Sequence, residues 1–380
     1  MKSVYLDNAA TTPMLPEVID VMHKSMQNNF GNPSSIHQFG RKAKVALEAA
    51  RKNIAKHFNV TASEIIFTAG GTEADNLVLY NAVLNLGVKR IITSRIEHQA
   101  VLKTVTYLQE EYGVEVDYVR VDSDGDVILS ELDFVLQGSE EKTLVSLMYV
   151  NNEIGNILPI DKVAEICKKN QAYFHSDTVQ AIGHYQIDLK KIPVDFIVAS
   201  AHKFHGPKGV GFAYVKKGIS IKPIFHGGGQ ERGGRSSTEN VHAILGMEKA
   251  LSLSLLNLTE DRIHIEKVKQ YLIKELKNSI NTIEFNGNSN DMQKSSYTIL
   301  NVRFPIEDKM LTFNLDLKRI AVSGGSACQS GSSKGSHVLK CFLKANEYKK
   351  TSVRFSFSKL TTFDEVDFLI NEMKSLNKAF

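Results

Sequence analysis

The chain contains no tryptophan, only eight prolines and only three cysteines in 380 residues. Cys167, Cys328 and Cys341 are an odd number at unrelated spacings, which excludes a closed disulfide framework and a four-ligand zinc site. At least one thiol is therefore expected to be free. No apolar run approaches the ~18 residues of a membrane span. Residues 1–8 also lack the basic-then-apolar pattern of an export signal, so the expectation is a cytoplasmic protein with no membrane partner. An excess of one charge is missing too: 46 basic against 42 acidic residues leave a net +4 with no long single-sign block that would read as a nucleic-acid arm, so charge says little about partners and no nucleic acid is expected.

What is present reads as an ordinary globular chain, with 42% hydrophobic and 23% charged residues. Its length exceeds the roughly 250–300 residues at which single cores stop growing, which predicts two domains. From about residue 40 to 215, strand-like runs (65–68, 90–94, 116–121, 143–150, 172–176, 195–200 and 210–215) alternate with helical patterns (41–57, 73–85, 98–111 and 162–169). That alternation predicts an α/β fold with a mostly parallel central sheet, whose ligands gather at the carboxyl ends of the strands. Beyond Arg235 the pattern changes to helices over 241–257 and 260–279, strands over 297–304 and 351–357, and a closing helix over 363–377. This predicts a smaller α+β domain. Residues 321–336 read as a loop, with four glycines among six serines and a single thiol, Cys328.

Three strand ends carry candidate chemistry. Lys203 closes Ser200-Ala201-His202-Lys203 just past the strand 195–200, Asp177 ends the strand before it, and Gly70-Gly71-Thr72-Glu73 opens a helix after 65–68. A lysine for a Schiff base, an acid for a pyridine nitrogen and a helix N-terminus for a phosphate are what pyridoxal 5'-phosphate (PLP) requires. Each has a plainer reading by itself: a surface lysine, a helix-capping aspartate, and a tight turn that lacks the Gly-Lys-Ser/Thr of a P-loop. Asp122-Ser123-Asp124-Gly125-Asp126 looks like the start of a calcium loop, but Val127 stands where that loop needs glycine, and a turn is expected.

Taken together, the segments resemble class-V PLP-dependent aminotransferase-fold enzymes, and within them the NifS/IscS-type cysteine desulfurases. The resemblance runs through nearly the whole chain: Tyr5-Leu6-Asp7-Asn8-Ala9-Ala10-Thr11-Thr12-Pro13, Gly31-Asn32-Pro33-Ser34-Ser35, Gly71-Thr72-Glu73, Glu97-His98 and Asn151-Asn152-Glu153-Ile154-Gly155. It continues in Asp177-Thr178-Val179-Gln180, Ser200 to Lys203, Gly206-Pro207-Lys208-Gly209 and His226-Gly227-Gly228-Gly229. It ends in Arg235-Ser236-Ser237-Thr238, Ser326-Ala327-Cys328 and Val353-Arg354-Phe355-Ser356.

The resemblance implies PLP-dependent transferase fold type I, with a large PLP-binding domain over 13–255 and a small domain made of 1–12 and 256–380. It implies Lys203 as the Schiff-base lysine, Asp177 on the pyridinium, His98 over the ring face, and Asn152 and Gln180 near the phenolic oxygen or the substrate. Gly71, Thr72, Ser200 and His202 would hold the phosphate, and Thr238 would reach the phosphate of a neighbouring subunit in a homodimer. Arg354 would grip the substrate carboxylate as a bidentate partner, with Asn152 beside it.

Cys328 separates the functions that share this fold. Aminotransferases need no thiol there, whereas a desulfurase needs a thiolate to take sulfur from L-cysteine and carry it as a persulfide to an acceptor protein such as an iron–sulfur scaffold. His98 is the expected acid/base for the thiols. The competing enzymatic readings are an aminotransferase or a selenocysteine lyase of the same fold, and the non-enzymatic one is a regulatory or scaffold protein. No metal is expected.

Overall fold

A computed structural model of the chain describes residues 3–138, 140–280, 282–324 and 335–376. The strands in chain order are β1 (Val4–Tyr5), β2 (Ile65–Thr68), β3 (Arg90–Ser94), β4 (Glu115–Val119), β5 (Thr143–Ser146) and β6 (Tyr173–Asp177). They continue as β7 (Phe196–Ser200), β8 (Gly211–Val215), β9 (Glu284–Phe285), β10 (Ile299–Arg303), β11 (Ile320–Ala321) and β12 (Ser352–Ser356). Seven of them form one sheet in the order β2-β8-β7-β6-β5-β3-β4. All its pairs are parallel except the two made by β8, so the expected α/β fold with a mostly parallel sheet is what the chain adopts.

Residue alternation assigns the two faces of this sheet. Ile65, Ile92, Val145, Ile197 and Ala199 point to one side and pack on α2 (Gln38–His57), α6 (Ile160–Lys169) and α7 (Val241–Leu256). Ile66, Ile91, Leu144, Phe196 and Val198 point to the other and pack on α3 (Gly71–Leu84) and α4 (Gln99–Tyr112). With both faces covered, the strands read in sequence as unbroken apolar runs rather than alternating ones. Between β2 and β7, β8 crosses the α3 turn so closely that a Cβ on Gly211 would lie 2.2 Å from Ala199 O and 2.8 Å from Gly70 Cα. Only glycine permits that approach.

A second core gathers the later part of the chain. The antiparallel sheet β12-β10-β9 packs Leu300, Val302, Val353 and Phe355 against Val268, Leu272 and Leu276 of α8 (Leu258–Ser279) and against Val366 and Leu369 of the closing helix Phe363–Leu376. Val4 and Leu6 join this cluster through the short parallel pair β1–β11.

One sequence expectation shifts. The strand expected over 143–150 stops at Ser146, because its neighbour β3 pairs no further than Thr93 and the ladder becomes one-sided. Leu147 and Tyr149 still donate to His175 and Asp177 of β6, so the run ends as a strap beside the strand ends. The two helices expected over 241–257 and 260–279 are α7 and α8, which meet at Asn257.

Candidate active site

The strand ends deliver what the sequence placed on them. β6 ends at Asp177, and β7 ends at Ser200 and turns at once through the 3-10 turn Ala201–Lys203. The segment after β1 lies across this turn: Thr12 N donates to His202 O at 2.8 Å, His202 Nδ1 sits 3.2 Å from Thr11 Oγ1, and Gln180 Nε2 donates to Ala9 O at 2.9 Å. Lys203 Nζ donates to Ala9 O and, at 2.9 Å, to Ala10 O. Two alanines at the contact let this backbone come within reach of the lysine.

A cavity of about 180 Å³ opens between these elements, lined by Gly71, Thr72, His98, Asn152, Asp177, Gln180, Ser200, His202, Lys203 and Arg354. Among the described residues, only Thr238 of the expected site residues lies elsewhere, in a separate hollow with Arg235 and Asn240. Cys328 lies outside the described residues. Arg235 binds Glu73 Oε1 at 2.8 Å, which ties the Thr238 segment to the first turn of α3.

The cavity's electrostatics follow from burial. Asp177 is 6% exposed, and desolvation raises its pKa while His98, the Val179 N–H and Lys203 pull it down. Its Oδ1 accepts from Val179 N at 2.9 Å, so it caps the turn that follows β6 rather than a helix, and it lines the site. His98 also has both roles. It caps α4, with Nδ1 accepting from Ala100 N at 3.1 Å, and lines the cavity. That bond leaves Nε2 as the protonated nitrogen of the neutral ring. The pKa of His202 is pushed down to about 4, first by burial and then by Lys203 and Lys208, so it is a neutral donor at physiological pH.

Arg354 is 1% exposed and comes from β12. Its Nη1 donates to Asn152 O at 2.7 Å and its Nη2 to Asp7 Oδ1 at 2.8 Å, while its buried Nε has no partner among the described residues.

These residues fit PLP. At the start of α3, Gly71 and Thr72 have no carbonyl of their own helix to bond, and Ser200 and His202 stand beside them. Gly70 has φ +155°, and a Cβ on Gly71 would meet Val179 Cγ2 at 2.7 Å, so this bare backbone leaves the cradle open. Lys203 and Asp177 share the same cavity with it.

Two residues escaped the sequence reading. Asp75 lines the cavity from α3, and its signal was an acid in the middle of a helix whose neighbours Leu77, Val78 and Leu79 are all buried. Asp7 was visible only as part of a motif, with no spacing to connect it to Arg354, 347 residues away. The calcium-like run is a turn, as expected: Asp122 Oδ1 accepts from the backbone of Asp124 and Asp126. No metal-binding cluster occurs among the described residues.

Comparison with known proteins agrees with this geometry. The family model for class-V aminotransferases matches residues 4–369, and the chain belongs to that family of PLP enzymes. It is 39% identical to the cysteine desulfurase IscS of Dictyoglomus turgidum, over 99% of this chain and 94% of that one. The IscS of Methanosarcina thermophila is 43% identical over 96% and 90% of the two chains. Among solved structures, a NifS-like protein superposes with a TM-score of 0.91 at 37% identity over the full length of both chains. A NifS-like protein from Rickettsia africae gives 0.88 at 33%, again over both full lengths. Within the class-V family, then, the chain is a PLP-dependent cysteine desulfurase of the IscS/NifS kind.

Proposed function

We propose that the chain converts L-cysteine to L-alanine while its sulfur passes to Cys328 as a persulfide, and that Cys328 hands it to an acceptor protein. The observation that carries this reading is the shared cavity of Lys203, Asp177 and Arg354. The segment that holds Cys328 starts and ends beside that cavity. On one side Ser323 exchanges backbone bonds with Arg354. On the other, His337 Nε2 sits 2.9 Å from the carbonyl oxygen of Glu97, the residue before His98.

Lys203, Asp177, Gly71, Thr72, Ser200, His202 and Gln180 would hold PLP, which supplies an electron sink for the α-carbon of the amino acid when bound. Lys203 removes the α-proton. Arg354 and Asn152 orient the carboxylate. The Cys328 thiolate attacks Sγ of the substrate, the C–S electron pair leaves with carbon, and protonation gives alanine and Cys328–SSH. His98, whose neutral ring carries its hydrogen on Nε2, moves the thiol protons.

The neighbouring cavity of about 1040 Å³ shares Gly71, Thr72, Ser200 and His202 with the cofactor cavity and carries the exposed Phe225. In the homodimer we propose, a second subunit's Thr238 would reach the phosphate through this cavity. The acceptor is proposed to be an iron–sulfur scaffold, a tRNA-thiolation carrier or both, with the protein working in the cytoplasm. Incubation with L-cysteine should release alanine, and mass spectrometry after alkylation should find extra sulfur on the Cys328 peptide. A keto acid in place of alanine would overturn the reading.

A further inference from the structure

Asp75 takes no part in the chemistry above, yet it lines the cofactor cavity, is 1% exposed, and its Oδ1 has no hydrogen-bond partner among the described residues. The atom facing it is in the same state. His175, fully buried on β6 two residues before Asp177, places an unpartnered Nε2 at 3.4 Å from Asp75 Oδ1. Its other nitrogen, Nδ1, lies 2.9 Å from Ser146 Oγ on β5. Two buried polar atoms that meet only each other are both satisfied if a single proton sits between them.

We propose that Asp75 and His175 act as one positioning unit behind Asp177: Asp75 is a neutral acid whose proton is held by His175 Nε2, so that Asp177 alone carries charge toward the cofactor ring nitrogen. This rests on the reading of Asp177 as the ring partner. The chemistry selects this proton position. Were Asp75 ionised, the cavity wall would hold two carboxylates, with Glu97 as a third buried acid, against the cations Lys203 and Arg354. Burial, then Asp177 and Glu97, raise the Asp75 pKa well above the usual carboxylate range, and burial drives His175 down to about 3. A neutral ring that accepts at Nε2 carries its hydrogen on Nδ1, toward Ser146 Oγ.

The two ideas can fail separately. Apoprotein variants are titrated with PLP by equilibrium dialysis at pH 7.5, and their thermal midpoints are followed from pH 6 to 10. Asp75→Leu, which leaves His175 Nε2 unpaired, is expected to weaken PLP binding about tenfold or more, and Asp75→Asn, a neutral donor of the same shape, to restore most of that loss. An Asn variant as weak as Leu would mean that Asp75 acts through its charge, and would overturn the proposal. The thermal midpoint of the wild type should fall more steeply with rising pH than that of Asp75→Asn, because only the wild type has this proton to lose; equal slopes overturn it. Asp177→Asn serves as the separate control: if it binds PLP as tightly as the wild type, the ring-partner reading fails whatever Asp75 does.

Discussion

Asp7 Oδ1 accepts two donors at once, Arg354 Nη2 at 2.8 Å and Ser323 Oγ at 2.9 Å. The guanidinium is therefore oriented before any substrate arrives, by Asp7 on one arm and Asn152 O on the other. A lysine ammonium is a single point without the planar fork that spans Asn152 O and Asp7 Oδ1, so it cannot hold both arms and a carboxylate in one fixed plane. Arg354→Lys is expected to raise KM for L-cysteine by about tenfold or more, equivalent to losing one charge-assisted hydrogen bond of roughly 1.5–3 kcal/mol. PLP affinity should change little. A loss confined to kcat would show that Arg354 does not bind the ground-state carboxylate.

Lys203 and Asp177 separate two kinds of loss. Lys203→Ala removes the positioned base and should leave alanine formation at background, even with PLP in excess. Asp177→Asn keeps the shape but not the charge, so some cofactor should still bind while kcat falls by about a hundredfold or more, since a neutral amide does not hold the ring nitrogen protonated. Normal turnover by either variant removes that residue from its role.

Glu97 sets a pH dependence of stability. It is 1% exposed, and burial, with added repulsion from Asp177, lifts its pKa from 4.5 to about 8 against the pull of the Met148 N–H and Ser94 Oγ. A carboxyl with a raised folded-state pKa favours the folded protein at low pH. Its contribution is complete below about pH 4.5 and is lost as pH rises toward about 8. Urea unfolding should therefore show wild-type stability falling relative to Glu97→Gln between pH 5 and 8. Parallel curves would mean that Glu97 is already ionised in the folded protein.

Much of this site was legible in the sequence because it depends on local punctuation. Apolar runs buried on both faces end in a polar residue, and Asp177, Ser200 and the turn to Lys203 are those ends. What stayed hidden depends on contacts between distant segments. Nothing in residues 9–10 announces that their carbonyls hold Lys203, 193 and 194 residues away. The same holds for Asp75 and His175, which are 100 positions apart in a numbering that carries no signal of their 3.4 Å approach. The strand expected over 143–150 failed for a related reason: its length was fixed by where its neighbour β3 ends.

The thiols give the sharpest test of the desulfurase chemistry. Cys167 lies on α6 at 1% exposure, and burial holds its thiol protonated far above the ordinary range. Cys341 is half-buried with Sγ 3.2 Å from His337 O, and burial raises its pKa as well. Neither is a nucleophile at neutral pH, because the thiolate is the reactive form. Cys167→Ala and Cys341→Ala should therefore keep alanine production close to wild type, with a stability cost of about 1 kcal/mol for the buried position. Cys328→Ser should still bind PLP and L-cysteine, seen as a shift of the visible absorption band, since binding rests on Lys203, Arg354 and the turn at Gly71. It should then stall, because a serine hydroxyl is far too weak a nucleophile at neutral pH to take sulfur from cysteine. Mass spectrometry should find no added sulfur on any peptide of that variant. Persulfide on Cys341, or normal turnover by Cys328→Ser, would leave the fold and cofactor assignments standing and refute the route of the sulfur.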